Sequence, residues 1–103
     1  MDRQIDNVFN ALADSSRRKI LKMLTDKEMK VNDIAGHFKF SRPAVSKHLR
    51  ILENSKLVIP RWDGRERYFR TNPKPLKEVE KWLENFDRFW DVKLTSLRKF
   101  IEK

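Results

Sequence analysis

The side chains with the most chemistry to offer in this sequence are cations, and they are gathered. Between Lys39 and Thr71 stand nine Lys and Arg residues (Lys39, Arg42, Lys47, Arg50, Lys56, Arg61, Arg65, Arg67 and Arg70) against three acids, Glu53, Asp63 and Glu66. These 33 residues carry +6 of a total charge of +9. Such a concentration suits a polyanion, because Lys and Arg that neutralise phosphates release condensed counterions and supply most of the non-specific affinity for a duplex. Charge alone does not separate DNA from RNA or from an acidic membrane surface, so placement has to decide. At 100° per residue, Pro43, Ser46, Lys47 and Arg50 project opposite Val45, Leu49 and Leu52, with Ser41 and Arg42 leading into the same stretch. Alone, this stripe reads as a solvated helix face. Ahead of a basic hairpin it reads as a nucleic-acid contact.

Other chemistries are poorly served. The chain has no cysteine, which excludes disulfides, thiolate metal sites, iron-sulfur clusters and a Cys nucleophile, and makes a reducing compartment the expectation. Its two histidines, His37 and His48, have no second neutral ligand at helical spacing. His48 adjoins Leu49 at the edge of the buried face, where a structural hydrogen bond fits better than a base contact. His37 reads as exposed or capping. Arg17 and Arg18 stand open between phosphate contact and an ion pair with Asp14 or a neighbouring acid. There is no glycine-rich phosphate loop, nucleophile elbow or clustered carboxylate pair, so neither catalysis nor a cofactor is expected. No apolar run approaches the ~20 residues that span a bilayer, and a cytoplasmic protein without membrane insertion is the expectation.

The elements that hold the cations follow from punctuation and periodicity. A chain of 103 residues fits a single domain over 1–103, and its two glycines and four prolines leave room for few turns. Ile5, Val8, Phe9 and Leu12 draw one stripe down a helix over about 4–13. Asp14, Ser15 and Ser16 offer a cap for a second helix that turns Ile20, Leu21 and Leu24 inward and ends near Lys27. A third, over Val31 to Phe38, buries Ile34, Ala35 and Phe38. Ser41 caps a fourth over about 42–54, with Pro43 early enough for its missing N–H to cost nothing. Two β-prone runs flank Asp63-Gly64 and predict a hairpin over about 57–71, with Asp63 and Glu66 as the only nearby acids. After Asn72-Pro73, a last helix over about 74–102 carries Trp82, Phe86, Phe89, Trp90, Leu94, Leu97 and Ile101.

Three helices followed by a hairpin is the order of a winged helix-turn-helix, a mainly α fold with a small β wing, in which the helix before the hairpin enters the DNA major groove. Ser41, Arg42, Pro43, Ser46, Lys47 and Arg50, with Arg61, Arg65 and Arg67 on the wing, are then the candidate DNA contacts, and a double-stranded operator is the candidate partner. The stretches Ala11-Leu12-Ala13-Asp14-Ser15-Ser16-Arg17-Arg18-Lys19-Ile20-Leu21, Ile34-Ala35, Ser41-Arg42-Pro43-Ala44-Val45-Ser46-Lys47-His48-Leu49 and Asp63-Gly64-Arg65 together resemble the ArsR/SmtB repressors. The resemblance implies a dimeric repressor of its own or a neighbouring operon, joined through its first and last helices. Many such sensors hold thiophilic metal through Cys-Val-Cys in the third helix, where this chain has Lys30-Val31-Asn32. Others use Asp and His on the last helix, which here has Asp87 and Asp91 and no histidine. The stretch from Trp82 to Trp90, with Leu94 and Leu97, looks more like the metal-free autorepressor branch.

A homodimer also follows from size. Hydrophobic residues make up only 39% of the chain, and a last helix of about 29 residues would reach roughly 43 Å, more than so small a globule covers. Ile5, Val8, Phe9 and Leu12 with Phe86, Trp90, Leu94, Leu97 and Ile101 are the expected seam. A small hydrophobic effector between Trp82, Phe86 and Trp90, or a protein effector, stays open as a further partner. The competing reading is a protein-interaction module whose basic face docks an acidic partner or membrane surface.

Overall fold

A computed structural model describes residues 3–85 together with Lys99 and Ile101. The chain opens with α1 (Arg3–Leu12) and α2 (Ser15–Asp26), separated by a break that Asp14 turns into a cap by accepting from the Arg17 N–H. That bond holds the Asp14 carboxyl below its ordinary range. A two-residue strand β1 (Met29–Lys30) leads into α3 (Val31–Ala35). Neither the strand nor so short a helix is what the sequence predicts. The strand exists because Met29 and Lys30 pair with Phe69 and Tyr68, about 40 residues downstream by sequence numbering. Beyond Ala35 the chain runs through tight turns, with His37 N–H bonded to Ile34 O and Phe38 N–H to Ala35 O. Phe38 is only partly buried, stacked on Phe40 at 4.7 Å between centroids, with Lys19 Nζ 4.8 Å from its ring.

Next comes α4 (Arg42–Asn54), then β2 (Val58–Asp63), β3 (Glu66–Thr71) and α5 (Lys74–Glu84). The sheet is antiparallel in the order β1-β3-β2, so the expected hairpin is two strands of a three-stranded wing. The last helix is described over Lys74–Glu84, with Lys99 and Ile101 also helical. Phe86, Asp87, Trp90, Asp91, Leu94 and Leu97 lie outside the described residues.

One core serves all the helices. Ile20, Leu24, Ile34, Val45, Leu49, Leu52, Leu57, Val58, Phe69, Val79 and Leu83 are buried together in it. Val8 belongs to the same core at 1% exposure, so it offers no surface to a second chain. Ile5, Phe9 and Leu12 are half-buried, and Phe9 meets Trp82 of α5 edge-on at 5.5 Å. Arg17 and Arg18 both reach back to backbone oxygens of α1. The Arg17 guanidinium donates to Ala11 O at 2.7 Å and Asn10 O at 3.1 Å, and Arg18 donates to Leu12 O at 2.6 Å. Both close the C-terminal turn of α1, where unsatisfied carbonyls and the negative end of the helix dipole favour cations.

Candidate nucleic-acid interface

The helix that would read DNA is fixed at both ends. Ser41 Oγ accepts from the Ala44 N–H at its start, with proline in the first turn. At its end Leu57 N–H bonds to Leu52 O and Lys56 N–H to Glu53 O, both at 2.9 Å, closing a Schellman motif in which Lys56 adopts φ 63°. Val45, Leu49 and Leu52 anchor the inner face. Ser41, Arg42, Pro43, Lys47 and Arg50 are exposed and Ser46 is half-exposed, so the structure brings these six to one outward stripe. No ion pair among the described residues engages Arg42, Lys47 or Arg50. His48 makes the structural contact expected of it. Its Nδ1 lies 3.4 Å from Arg17 Nη1, and since a guanidinium only donates, Nδ1 is the accepting nitrogen.

The wing has two faces. Alternation along β2 and its register with β3 put Val58, Pro60, Trp62, Arg67 and Phe69 on the side toward α4, and Ile59, Arg61, Tyr68 and Arg70 on the other. Between the strands only Gly64, at φ 62°, has a positive φ, the pattern of a two-residue type II′ turn with Gly64 and Arg65 at its centre. Arg65 thereby occupies the tip, exposed and outside any ion pair among the described residues.

Arg61 and Arg67 are differently placed. Arg61 is bidentate to Glu28, at 2.8 and 3.0 Å, on the face away from α4. Arg67 holds Glu53 of α4 at 2.8 Å, with its guanidinium over the Trp62 and Phe69 rings. Asp63 and Glu66 are therefore not the wing's only acids, and no local signal links Glu28 to an arginine 33 residues away. The pairs move the titrations as expected. Arg61 draws the Glu28 carboxyl down; Lys30, with help from the Tyr68 hydroxyl, does the same to Glu66; and Glu66 pushes Lys30 and Tyr68 up.

The model of bacterial regulatory proteins of the arsR family matches residues 14–59, from the Asp14 cap through α2, α3 and α4 into β2. The transcriptional repressor SdpR of Bacillus subtilis (strain 168) is 38% identical over 82 residues, covering 80% of this chain and 91% of that protein. The chain belongs to the ArsR family. The HTH-type transcriptional regulator Rv2034 of Mycobacterium tuberculosis (strain ATCC 25618 / H37Rv) is 35% identical over 100 residues, 97% of this chain and 91% of that one. An ArsR-like transcriptional regulator from Rhodococcus sp. RHA1 has the same fold at a TM-score of 0.79, with 30% identity, covering 96% of this chain and 91% of that structure. These similarities make the architecture a winged helix-turn-helix and agree with the lack of any catalytic motif.

Lys30, in the first of the three places where family sensors carry Cys-Val-Cys, sits with Nζ 3.0 Å from both Glu66 carboxylate oxygens. Among the described residues no three His, Cys, Asp or Glu side chains come together as metal ligands would. The effector pocket pictured around Trp82 rests on Phe86 and Trp90, outside the described residues. A cavity of about 680 Å³ opens elsewhere, between α2 and the start of α5, lined among others by Leu12, Leu21, Leu76 and Ile101 with Arg18, Lys22 and Asp26. No helix among the described residues is long and apolar enough to cross a membrane.

Proposed function

We propose that this ArsR-family chain is a cytoplasmic repressor of its own or a neighbouring operon, binding a palindromic operator as a homodimer and without a metal. The observation that carries the reading is the exposed cationic stripe of α4, outside any ion pair among the described residues, beside the exposed Arg65 tip of the wing. In this reading Ser41, Arg42, Pro43, Ser46, Lys47 and Arg50 meet the major groove and Arg65 meets phosphate. Arg61 and Arg67 act mainly through the field of the wing, since each guanidinium already has a carboxylate.

The dimer forms through Ile5, Phe9 and Leu12 of α1 and through Phe86, Trp90, Leu94, Leu97 and Ile101, placing two reading helices on half-sites about 10 to 10.5 bp apart or a multiple of that. Lys30 and Asn32 stand where thiolates would be, so operator affinity is indifferent to zinc, arsenite and chelator. Fluorescence anisotropy with DNA from upstream of the gene tests the whole. With about four phosphates neutralised per protomer, log K against log salt should fall with a slope of roughly −7 for the dimer. A slope near zero, or equal affinity for random duplex, overturns the reading. In the same titration Trp90→Glu or Leu97→Glu should give monomers that lose tight operator binding, and a variant that sediments as a wild-type dimer would put the seam elsewhere.

A further inference from the structure

Trp62 is the one large apolar side chain exposed among the described residues, at 65%. It stands on β2 one residue before the strand ends, opposite Arg67, on the face that the wing turns toward α4. Its position is not loose. The Arg67 guanidinium lies over the indole at 5.5 Å and is itself tied to Glu53 of α4 at 2.8 Å. Arg67 Nε is enclosed in this stack and has no acceptor among the described residues. A covered donor without an acceptor costs stability, and an indole left this exposed gains little from burial within the described residues.

We propose that Trp62 is a DNA-contacting residue, its indole lying against the sugar faces of the strand that passes between α4 and the wing. This rests on the regulator reading above and goes beyond it by adding an uncharged contact to the basic ones. The surroundings favour DNA over an apolar protein surface. Arg65, at the tip of the same hairpin and outside any ion pair among the described residues, draws in a phosphate backbone, and the carboxylate-bound Arg61 and Arg67 add only to the field. Among the described residues no second large exposed apolar residue forms a hydrophobic patch with Trp62. A ring with one N–H at its edge covers deoxyribose with its face and donates to phosphate with that edge.

An indole carries no charge and reads no base edge, which fixes the test. Trp62→Ala should weaken operator and random duplex alike by about tenfold, the scale of aromatic contacts with single strands, and leave the salt slope at its wild-type value. Trp62→Phe should keep most of the affinity, and the fluorescence change on DNA binding should shrink in Trp62→Phe relative to wild type. The side chain is exposed, so circular dichroism and the thermal midpoint should stay as in wild type. If wild type binds the operator and Trp62→Ala binds equally well, the inference falls and the regulator reading stands. If wild type binds no duplex, both fall. If Trp62→Ala alters sedimentation of the protein without DNA, Trp62 belongs to a protein contact and the inference is wrong.

Discussion

Arg17 offers the sharpest test of how the reading helix is braced. Its guanidinium bonds two carbonyls in the last turn of α1, at 2.7 and 3.1 Å, and lies 3.4 Å from His48 on α4. A hydrogen bond from a charged donor is worth about 1.5 to 3 kcal/mol. The bond to Ala11 O is partly buried and earns that weight, while the exposed bond to Asn10 O is worth about 0.5 kcal/mol. Arg17→Ala should therefore destabilise the fold by about 2 to 3.5 kcal/mol and lower the thermal midpoint by roughly 8 to 28 °C. The backbone N–H that bonds Asp14 survives this change, so the α2 cap is not removed with it. Arg17→Lys keeps a cation at the dipole but not the fork and should recover only about 0.5 to 1 kcal/mol. Urea melts followed by circular dichroism give the numbers. An Arg17→Ala variant within about 0.5 kcal/mol of wild type would refute the idea that this side chain closes α1.

On the DNA side, Arg65→Ala should weaken all duplexes similarly and lower the salt slope by about one unit, whereas Lys47→Ala and Arg50→Ala weaken binding and at least one of them relaxes sequence preference, as competition titrations would record. Lys56→Gly should raise stability by about 0.5 to 1 kcal/mol in urea melts, because φ 63° strains any side chain with a Cβ. Asp14, Glu28 and Glu66 all titrate below the ordinary carboxylate range. Their stabilisation is complete above the unfolded carboxylate pKa of about 4 and drains away as pH falls through the lower folded values. Urea midpoints should thus hold steady from neutral pH to about 5 and drop below about 4. An acid limb unchanged in a Glu28→Gln, Glu66→Gln double variant would place the acid sensitivity elsewhere.

What the sequence disclosed was local. Ser41 with Pro43 marked the start of α4, Asp14 the start of α2, and Gly64 the turn of the wing, because each acts within a few residues of itself. The period of Val45, Leu49 and Leu52 named the buried face of α4, and with it the outward stripe. What stayed hidden depends on distant partners. Met29 and Lys30 have no strand signal of their own and become β1 only beside Phe69 and Tyr68. Glu28 reaches Arg61 across the sheet, so counting acids near the wing overstated its unpaired charge. Arg17 and Arg18 find backbone oxygens, which no pattern of residue types reveals. Val8 was rightly apolar, but periodicity does not tell a protomer's own core from a seam with another chain.

The order β1-β3-β2 puts β1 and β2 at the edges of the sheet among the described residues, and a bare strand edge is a template for aggregation. Each edge is blunted in its own way. β1 is two residues long, too short to register an incoming strand. β2 has Pro60 in its middle, where an N–H donor is missing, and exposed Arg61 one position on. A sheet that projects from the domain for one purpose is thereby kept from recruiting further strands and growing into a fibril.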